Sequence, residues 1–535
     1  MRIGGDFREL LRKMPADGAA DLLPAGLDDD AEVIEHSLER DFFEKDCKLE
    51  WKLVLALAIV QFANSAVLIQ LGRVRQLIPL LVMTILVGIA FLIASVVYQD
   101  AIPGVRQDWL VRPIQRKDLL LAKFLFVVIA VHGPMLLADL FRDLANGFGF
   151  GASLASALSR SLFILFALSL PLLAFASLTK NILEAIAAAL LVILSFVAFT
   201  MLLDATRARQ LLGESSIAWI QVTAQALVGL LGAAVVLGLQ YFRRRTIVAR
   251  GLAAAAIAGA LLTMFVPWNT AFAVQERLST NPDAASSITV AFDPSIGKFT
   301  TEAAYINDVN AFVFLPLRFE HLPAGSVLIS DRAELRIQNE TISARHGVFD
   351  GSVSVWQEDG DGPAAHLMEV LPGELYQRVQ DQPENLEIEL SLTLFAPKSV
   401  ETVPALNGKV HTPDLGWCTT GFNIPHTAIR LACVPLEKMP PCLRIRLHDA
   451  ASGLSNPPIS QCQGNYTPFN DALYLMPPEA RDIPFRDLDG RVKFPIAPSQ
   501  LPESQIQIQT YQPIAHFTRT VQVPDTKLKD WTAKQ

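Results

Sequence analysis

The hydrophobic pattern divides the chain into two unlike halves. From residue 51 to about 268, apolar residues run almost without interruption in stretches long enough to cross a bilayer as helices. Seven such stretches are predicted, at about 51–71, 77–98, 119–141, 161–179, 182–203, 216–242 and 251–268. After Trp268 the runs give way to period-two alternation. The clearest case is Leu386, Ile388, Leu390, Leu392 and Leu394, interleaved with Glu387, Glu389, Ser391 and Thr393. That spacing buries one face of a strand and wets the other. Ile288–Phe292, Ala311–Leu317, Val327–Ile329, Val353–Trp356 and Ile506–Thr510 read as further strands. Residues 271–535 hold 25 of the 33 prolines, which argues against long helices there. The expected fold is a polytopic α-helical membrane domain of about seven transmembrane helices followed by a mainly β extracytoplasmic domain. The β region is one large domain or two modules, with a loop-like stretch at Pro397–His411 as the join.

The tail before the first span has its own patterns. Phe7, Leu10, Leu11 and Met14 recur at helical spacing beside Arg2, Arg8, Arg12 and Lys13. Two readings fit: an amphipathic helix lying on a membrane surface, or a short helix packing on the protein. Ile34, Leu38 and Phe42 mark an acidic helix leading into the first span. No secretory h-region precedes that span, so it is expected to be retained.

Composition and charge then narrow the function classes. The 535 residues are 51% hydrophobic and only 18% charged, which excludes an ordinary soluble enzyme. The first 50 residues hold 7 Lys/Arg and 14 Asp/Glu, nearly all of the net charge of −8. With no basic stripe, nucleic acid is not an expected partner. Basic residues in the connecting loops total nine on one side and six on the other. By the positive-inside rule the N-terminus is cytoplasmic and the C-terminal domain lies outside the cell (inner) membrane, although Arg73 and Arg75 pull against this.

Four of the five cysteines, Cys418, Cys433, Cys442 and Cys462, fall close together in the β half. An extracytoplasmic domain favours disulfides, and nearest-neighbour pairing is the preferred of three connectivities. A zinc site is the rival, but no C-x-x-C spacing occurs. Cys47 reads as an inert thiol.

Candidate chemistry in the helical half is sparse. Lys123, His132, Asp139 and Glu184 are polar residues within predicted spans and so are candidate functional groups. Lys123 and Asp139 lie near span ends and are expected to snorkel. Glu184 opens its span, where an acid complements a helix N-terminus. His132 is deepest and precedes Gly133-Pro134, expected to kink the helix. It is either a proton- or metal-handling group or a packed neutral ring. G-x-x-x-x-G-K-[ST], H-E-x-x-H and G-x-S-x-G do not occur, so no catalytic residue, metal site or cofactor is expected.

The densest motif runs from Asp108 to Lys123, as D-W-L-V-R-P-I-Q-R-K-D-L-L-L-A-K. Read from the residues alone, Pro113 breaks the chain, Asp118 caps the next helix, and Arg112, Arg116 and Lys117 anchor the inner membrane face. The run also resembles the loop after the second span of ABC-2-type transporter permeases, which often carry W-L-x-R-P-I-x-R-x-x-L-L-x-A-K there. The resemblance covers residues ~51–250. It implies a coupling helix that docks on a separate cytoplasmic ABC ATPase subunit, with Trp109, Arg112, Pro113, Arg116 and Asp118 at or beside the contact. It also implies a homodimer or heterodimer of permeases. A seventh span and a large soluble domain depart from the six-span pattern. The alternative expectation is a membrane-anchored extracytoplasmic binding or assembly module with no transport activity.

Overall fold

The computed structural model describes residues 50–66, 77–99, 116–205, 218–243, 245–263, 268–299, 310–337, 340–345, 354–356, 364–423, 426–434, 442–462, 479–485 and 494–532. The tail patterns at Phe7–Met14 and Ile34–Phe42, and Cys47, lie outside them.

Among the described residues, seven apolar helices make up the first half. They are α1 (50–66), α2 (Leu77–Gln99), α3 (Arg116–Phe126, Val127–His132 and Gly133–Ala145), α4 (Phe150–Ile164, Leu165–Ser169 and Leu170–Leu178), α5 (Ile182–Ala205), α6 (Ala218–Tyr241) and α7 (Thr246–Leu262). Within them, Leu80–Tyr98, Asp118–Ala145, Phe150–Leu178 and Thr223–Tyr241 are long and apolar enough to cross a membrane. At 1.5 Å per residue, the 28 residues of Asp118–Ala145 reach about 40 Å, more than the ~30 Å of a hydrocarbon core. The helices are apolar on both faces. Ile85, Ile89, Phe126, Val131 and Leu173 fill the bundle interior, while Leu80, Val87, Phe91, Ile129, Leu137 and Leu191 point outward. Close packing is supported by small residues. A Cβ on Gly232 of α6 would sit 3.0 Å from the Ala256 methyl of α7, a tight contact, so that helix crossing favours glycine.

In α3 and α4 the helical ladder widens into π segments, Val127–His132 and Leu165–Ser169. Each ends just before a proline, Pro134 and Pro171, at the start of the next α-helical segment. Proline supplies no N–H to the preceding turn, and the extra residue absorbs the mismatch. The kink expected at Gly133-Pro134 is thus resolved as a π segment in a continuous helix.

The chain then enters α8 (Trp268–Arg277) and a mainly β region. Its strands are β1 (Thr289–Phe292), β2 (Asn310–Glu320), β3 (Val327–Ile337), β4 (Glu340–Arg345), β5 (Ser354–Trp356), β6 (Ala364–Pro372), β7 (Glu384–Pro404), β8 (Lys409–Thr412), β9 (Gly416–Phe422), β10 (Ala428–Val434), β11 (Cys442–His448), β12 (Ile459–Cys462), β13 (Glu479–Pro484) and β14 (Gln505–Thr526), with one short helix, α9 (Gly373–Val379). They form sheets of order β1-β2-β6, β13-β10-β9-β8 and β12-β11-β14-β7-β3-β4. Every strand pair is antiparallel.

The long pair β7–β14 is the spine of this region. Its Leu386–Leu394 end packs with Phe517, Val521 and Val523 in one core, and its Val403 end packs with Ile506 and Ile508 in another. Register shifts at Thr510/Tyr511 and Pro513/Ala515 mark the passage between the two. The stretch from Pro397 to Pro404 is therefore strand, not the loop its prolines imply. Pro397 and Pro513 sit at these shifts, where a missing N–H costs least.

Candidate functional site

The polar groups inside the helical half form two connected layers. The first is built on the π segments. His132 is 4% exposed, and both ring nitrogens are engaged: Nδ1 with Ser161 Oγ at 3.2 Å and Nε2 with Ser169 Oγ at 3.0 Å. The π turn at 127–132 carries His132 to its C-terminal end, and Ser169 closes the π turn of the neighbouring helix. The ring thus joins the two irregular turns. Each nitrogen meets a hydroxyl that can donate or accept, so a neutral ring is fully satisfied here.

The second layer lies nearer the C-terminal end of α3. Asp139, Arg142 and Asp143 recur at i, i+3 and i+4, which places them on one helix face. All three are buried, Asp143 completely. Arg142 donates from Nε and Nη2 to Asp143 Oδ1 at 3.1 and 3.0 Å, and its Nη1 lies 3.1 Å from Asp139 Oδ1. Arg160 reaches across from α4 to the same Asp139 oxygen at 3.0 Å. Two carboxylates therefore balance two guanidiniums away from water. Asp139 Oδ2, Asp143 Oδ2 and Arg160 Nε have no protein hydrogen-bond partner. A third helix supplies more uncommitted polarity. Phe62 of α1 meets Phe141 of α3 with ring centroids 6.4 Å apart. On the buried side of α1 near this point are Gln61, Asn64 and Ser65, and Gln61 Oε1 and Nε2 and Asn64 Oδ1 are likewise unpartnered.

The expectation that Lys123 and Asp139 snorkel is not met. Lys123 is 1% exposed and Asp139 3%. Helix α3 runs on to Ala145 and α4 begins at Phe150, so Asp139 has a turn and a half of helix beyond it, and Arg142 and Arg160 lie inside the bundle instead of in a loop. Glu184 stands at the opposite end. Its amide donates to Asn181 Oδ1 at 2.8 Å, its carboxylate accepts from Lys180 N at 2.7 Å, and Arg250 of α7 bridges to it at 2.9 Å while also capping Leu178 O. It is a helix-start residue tied to a neighbouring helix.

Of the coupling-loop residues, Trp109, Arg112 and Pro113 lie outside the described residues. Arg116 and Asp118 are in the first described turn of α3. Asp118 is thus inside the helix, where an acid complements the dipole, and does not cap it.

The four cysteines form two disulfides, Cys418–Cys433 across β9–β10 and Cys442–Cys462 across β11–β12. Among the described residues no group of three or more His, Cys, Asp and Glu side chains is placed to hold a metal ion.

The α3–α4 turn joins the β region to the helical half, and α8, which follows the last apolar helix, packs on the large sheet. The α3–α4 turn meets the small sheet: Thr419 Oγ1 donates to Asn146 O at 3.4 Å, and Phe148 is buried with Ala432 and Val434. Helix α8 meets the large sheet: Trp268 donates to Ser391 Oγ at 3.2 Å, stacks on Phe272, and lies under the Arg332 guanidinium. Beside this joint is a buried polar chain that the sequence did not announce. Asp331, the unpaired residue of a bulge in β3, accepts from Thr393 Oγ1, which in turn lies 2.8 Å from His516 Nδ1. Burial raises Asp331 to about 7, the Thr393 hydrogen bond opposing only part of the shift. Burial lowers His516 to about 4.

Comparison of the chain with protein-family models and with curated proteins found no match to either.

Proposed function

We propose that the chain is the membrane-spanning permease subunit of an ATP-driven transporter, powered by a separate cytoplasmic ATPase. The observation that carries this reading is the Trp109–Lys123 run, with its W-L-x-R-P-I-x-R spacing, whose last residues from Arg116 on lie in α3. The rest of the molecule supports it. The far end of α3 touches the β region through Asn146 and Phe148, so the run enters the bundle at the opposite end. That end also gathers Glu50, Ser95, Tyr98, Thr179, Glu184 and Arg250, through the Ser95–Glu50, Tyr98–Thr179 and Arg250–Glu184 contacts. Residue 50 at one end and the β region at the other favour an odd number of crossings, as in the seven-span reading.

The two disulfides favour an oxidising, extracytoplasmic compartment for the β region, which would leave the run in the cytoplasm of an inner-membrane protein. The chain would act as a homodimer or heterodimer of permeases. The unpartnered polar atoms of Gln61, Asn64, Asp139, Asp143 and Arg160 favour a path that handles polar groups or water.

Affinity purification of the full chain in mild detergent tests the reading. A cassette ATPase should co-purify. Trp109→Ala should weaken its association by about 2 kcal/mol or more as a central aromatic anchor, and Lys117→Ala should cost little as a rim charge. Full partner binding by Trp109→Ala at normal membrane insertion removes Trp109 as an anchor. If no ATPase co-purifies with the intact protein, the scaffold reading replaces the transporter. The seating of the β region on the α3–α4 turn favours that second reading, a membrane-anchored extracytoplasmic binding or assembly module.

A further inference from the structure

The small sheet has a buried face and an outward face. Directly paired residues of antiparallel strands share a face. The buried face carries Cys418, Cys433, Leu431 and Ile483. The outward face carries Thr419 and Ala432 as one pair and Trp417 and Val434 as the next. On this face the α3–α4 turn is docked, through Thr419–Asn146 and through Phe148 on Ala432 and Val434. The docked turn is where two membrane-length helices end.

The same face continues past the docked turn onto the edge strand β8. Lys409 pairs with Thr419, and His411 pairs with Trp417. All of Lys409, His411 and Trp417 are exposed, and Trp417 leaves 42% of its surface uncovered while its ring lies 4.9 Å from the His411 ring. Trp417 is thus one strand spacing, roughly 5 Å, from a residue in contact with the end of the bundle. The helix ends that flank the docked turn are apolar and open: Phe150, the first residue of α4, is 61% exposed, and Leu144 at the end of α3 is 41% exposed. A strand edge bearing an exposed tryptophan, a histidine and a lysine, level with the ends of membrane-crossing helices, has the composition of a bilayer interface. There the aromatic ring sits among headgroups and the lysine reaches toward phosphate.

We propose that the strip Lys409–His411–Trp417 is a lipid-contact surface that rests the β region on the headgroup layer around the bundle. It rests on the membrane-spanning reading of the helices and not on the transporter reading. Continuity with the docked α3–α4 turn and with the apolar Leu144/Phe150 surface is what commits the face to lipid. The disulfide behind it, Cys418–Cys433, ties together the two strands that carry Trp417 and Val434, so the lipid-facing side chain and the docked side chain share one cross-linked platform.

The test uses the full chain in nanodiscs whose phospholipid carries a photoactivatable group on the headgroup, with adducts mapped by mass spectrometry. Adducts are expected both near Phe150 and within residues 409–417. Trp417→Ser should lower the 409–417 yield at least threefold and leave the Phe150 yield unchanged, and Trp417→Tyr should keep most of it. Labelling near Phe150 with none at 409–417 overturns the proposal, as do protein–protein cross-links at 409–417 in place of lipid adducts. Absence of label at both places overturns the membrane-spanning reading, and the proposal with it.

Discussion

Arg160 reaches from α4 to Asp139 on α3 at 3.0 Å, on an oxygen that Arg142 already approaches at 3.1 Å. Removing Arg160 leaves two buried carboxylates facing Arg142 alone, and an uncompensated buried charge costs about 3–5 kcal/mol. Arg160→Leu should therefore destabilise the helical half by about that amount. It is read as a lower unfolding midpoint in detergent. The paired replacement Asp139→Leu with Arg160→Leu should be more stable than Arg160→Leu alone. A single variant with wild-type stability would show that the ion pair is not part of the folded bundle.

That cluster was hidden in the sequence by a boundary. Ending the third span at 141 and starting the fourth at 161 puts Arg142, Asp143 and Arg160 in a loop, where the two arginines count among the six basic residues of the side opposite the cytoplasm. The i, i+3, i+4 spacing of Asp139, Arg142 and Asp143 was the available sign that the helix continues. Apolar length located the apolar helices of the described residues, four of them long enough to cross a membrane, because lipid and bundle interior impose the same demand. Alternation located the Leu386–Leu394 strand and the nearest-neighbour cysteines foretold their pairing, since short connections bring neighbours together. The length of β7 and β14 was not legible: prolines at 397 and 513 read as breaks, and only the facing register shifts make them tolerable. Nor was Asp331–Thr393–His516, because its members are 62 and 123 residues apart and meet only through sheet register.

His132 holds Ser161 and Ser169 together, so its packing role is measurable apart from any transport role. His132→Leu preserves bulk but strands two hydroxyls, each of which recovers part of its loss by bonding back to its own helix. A cost of about 1–3 kcal/mol in bundle stability is expected. His132→Gln, which keeps one donor and one acceptor, should recover much of it. Equal stability of His132→Leu and the parent would rule out the ring as a cross-helix tie.

The Asp331–Thr393–His516 chain predicts opposing pH dependences. Asp331 has its folded pKa raised to about 7, so its contribution is full below the unfolded carboxylate value and is lost as pH rises through about 7. His516 is lowered to about 4, so its contribution is full above the unfolded imidazole value and is lost as pH falls toward about 4. Between about 4 and 6.5 the two slopes cancel in the native chain, because folding moves one proton's worth of preference from histidine to aspartate. His516→Gln should uncover stability that falls with rising pH in that window. Asp331→Asn should uncover stability that rises with pH there. Parallel profiles for the two variants, followed by near-ultraviolet circular dichroism, would refute the assignment.

The seating of the β region on the α3–α4 turn yields the last prediction. Phe148 is 5% exposed, yet its partners Ala432 and Val434 belong to a different half of the chain. Truncating a buried phenylalanine costs about 3–5 kcal/mol when the cavity cannot collapse. Here the loss falls on an interface, so Phe148→Ala should loosen the docking and leave each half folded. Hydrogen exchange should quicken in β9 and β10 and at residues 146–149, while α3 and the β7–β14 spine keep their protection. The Cys418–Cys433 bond bears on the same strands from behind. It closes a separation of 15 residues, for which the chain-entropy estimate is ~3 kcal/mol. Replacing both cysteines by serine should therefore quicken exchange in β9 and β10 even with Phe148 in place, and the two changes together should exceed their sum if one platform holds the turn. Exchange that responds to the cysteines but not to Phe148 would mean that the turn only touches the sheet. Exchange that responds to neither would remove the small sheet as a docking platform.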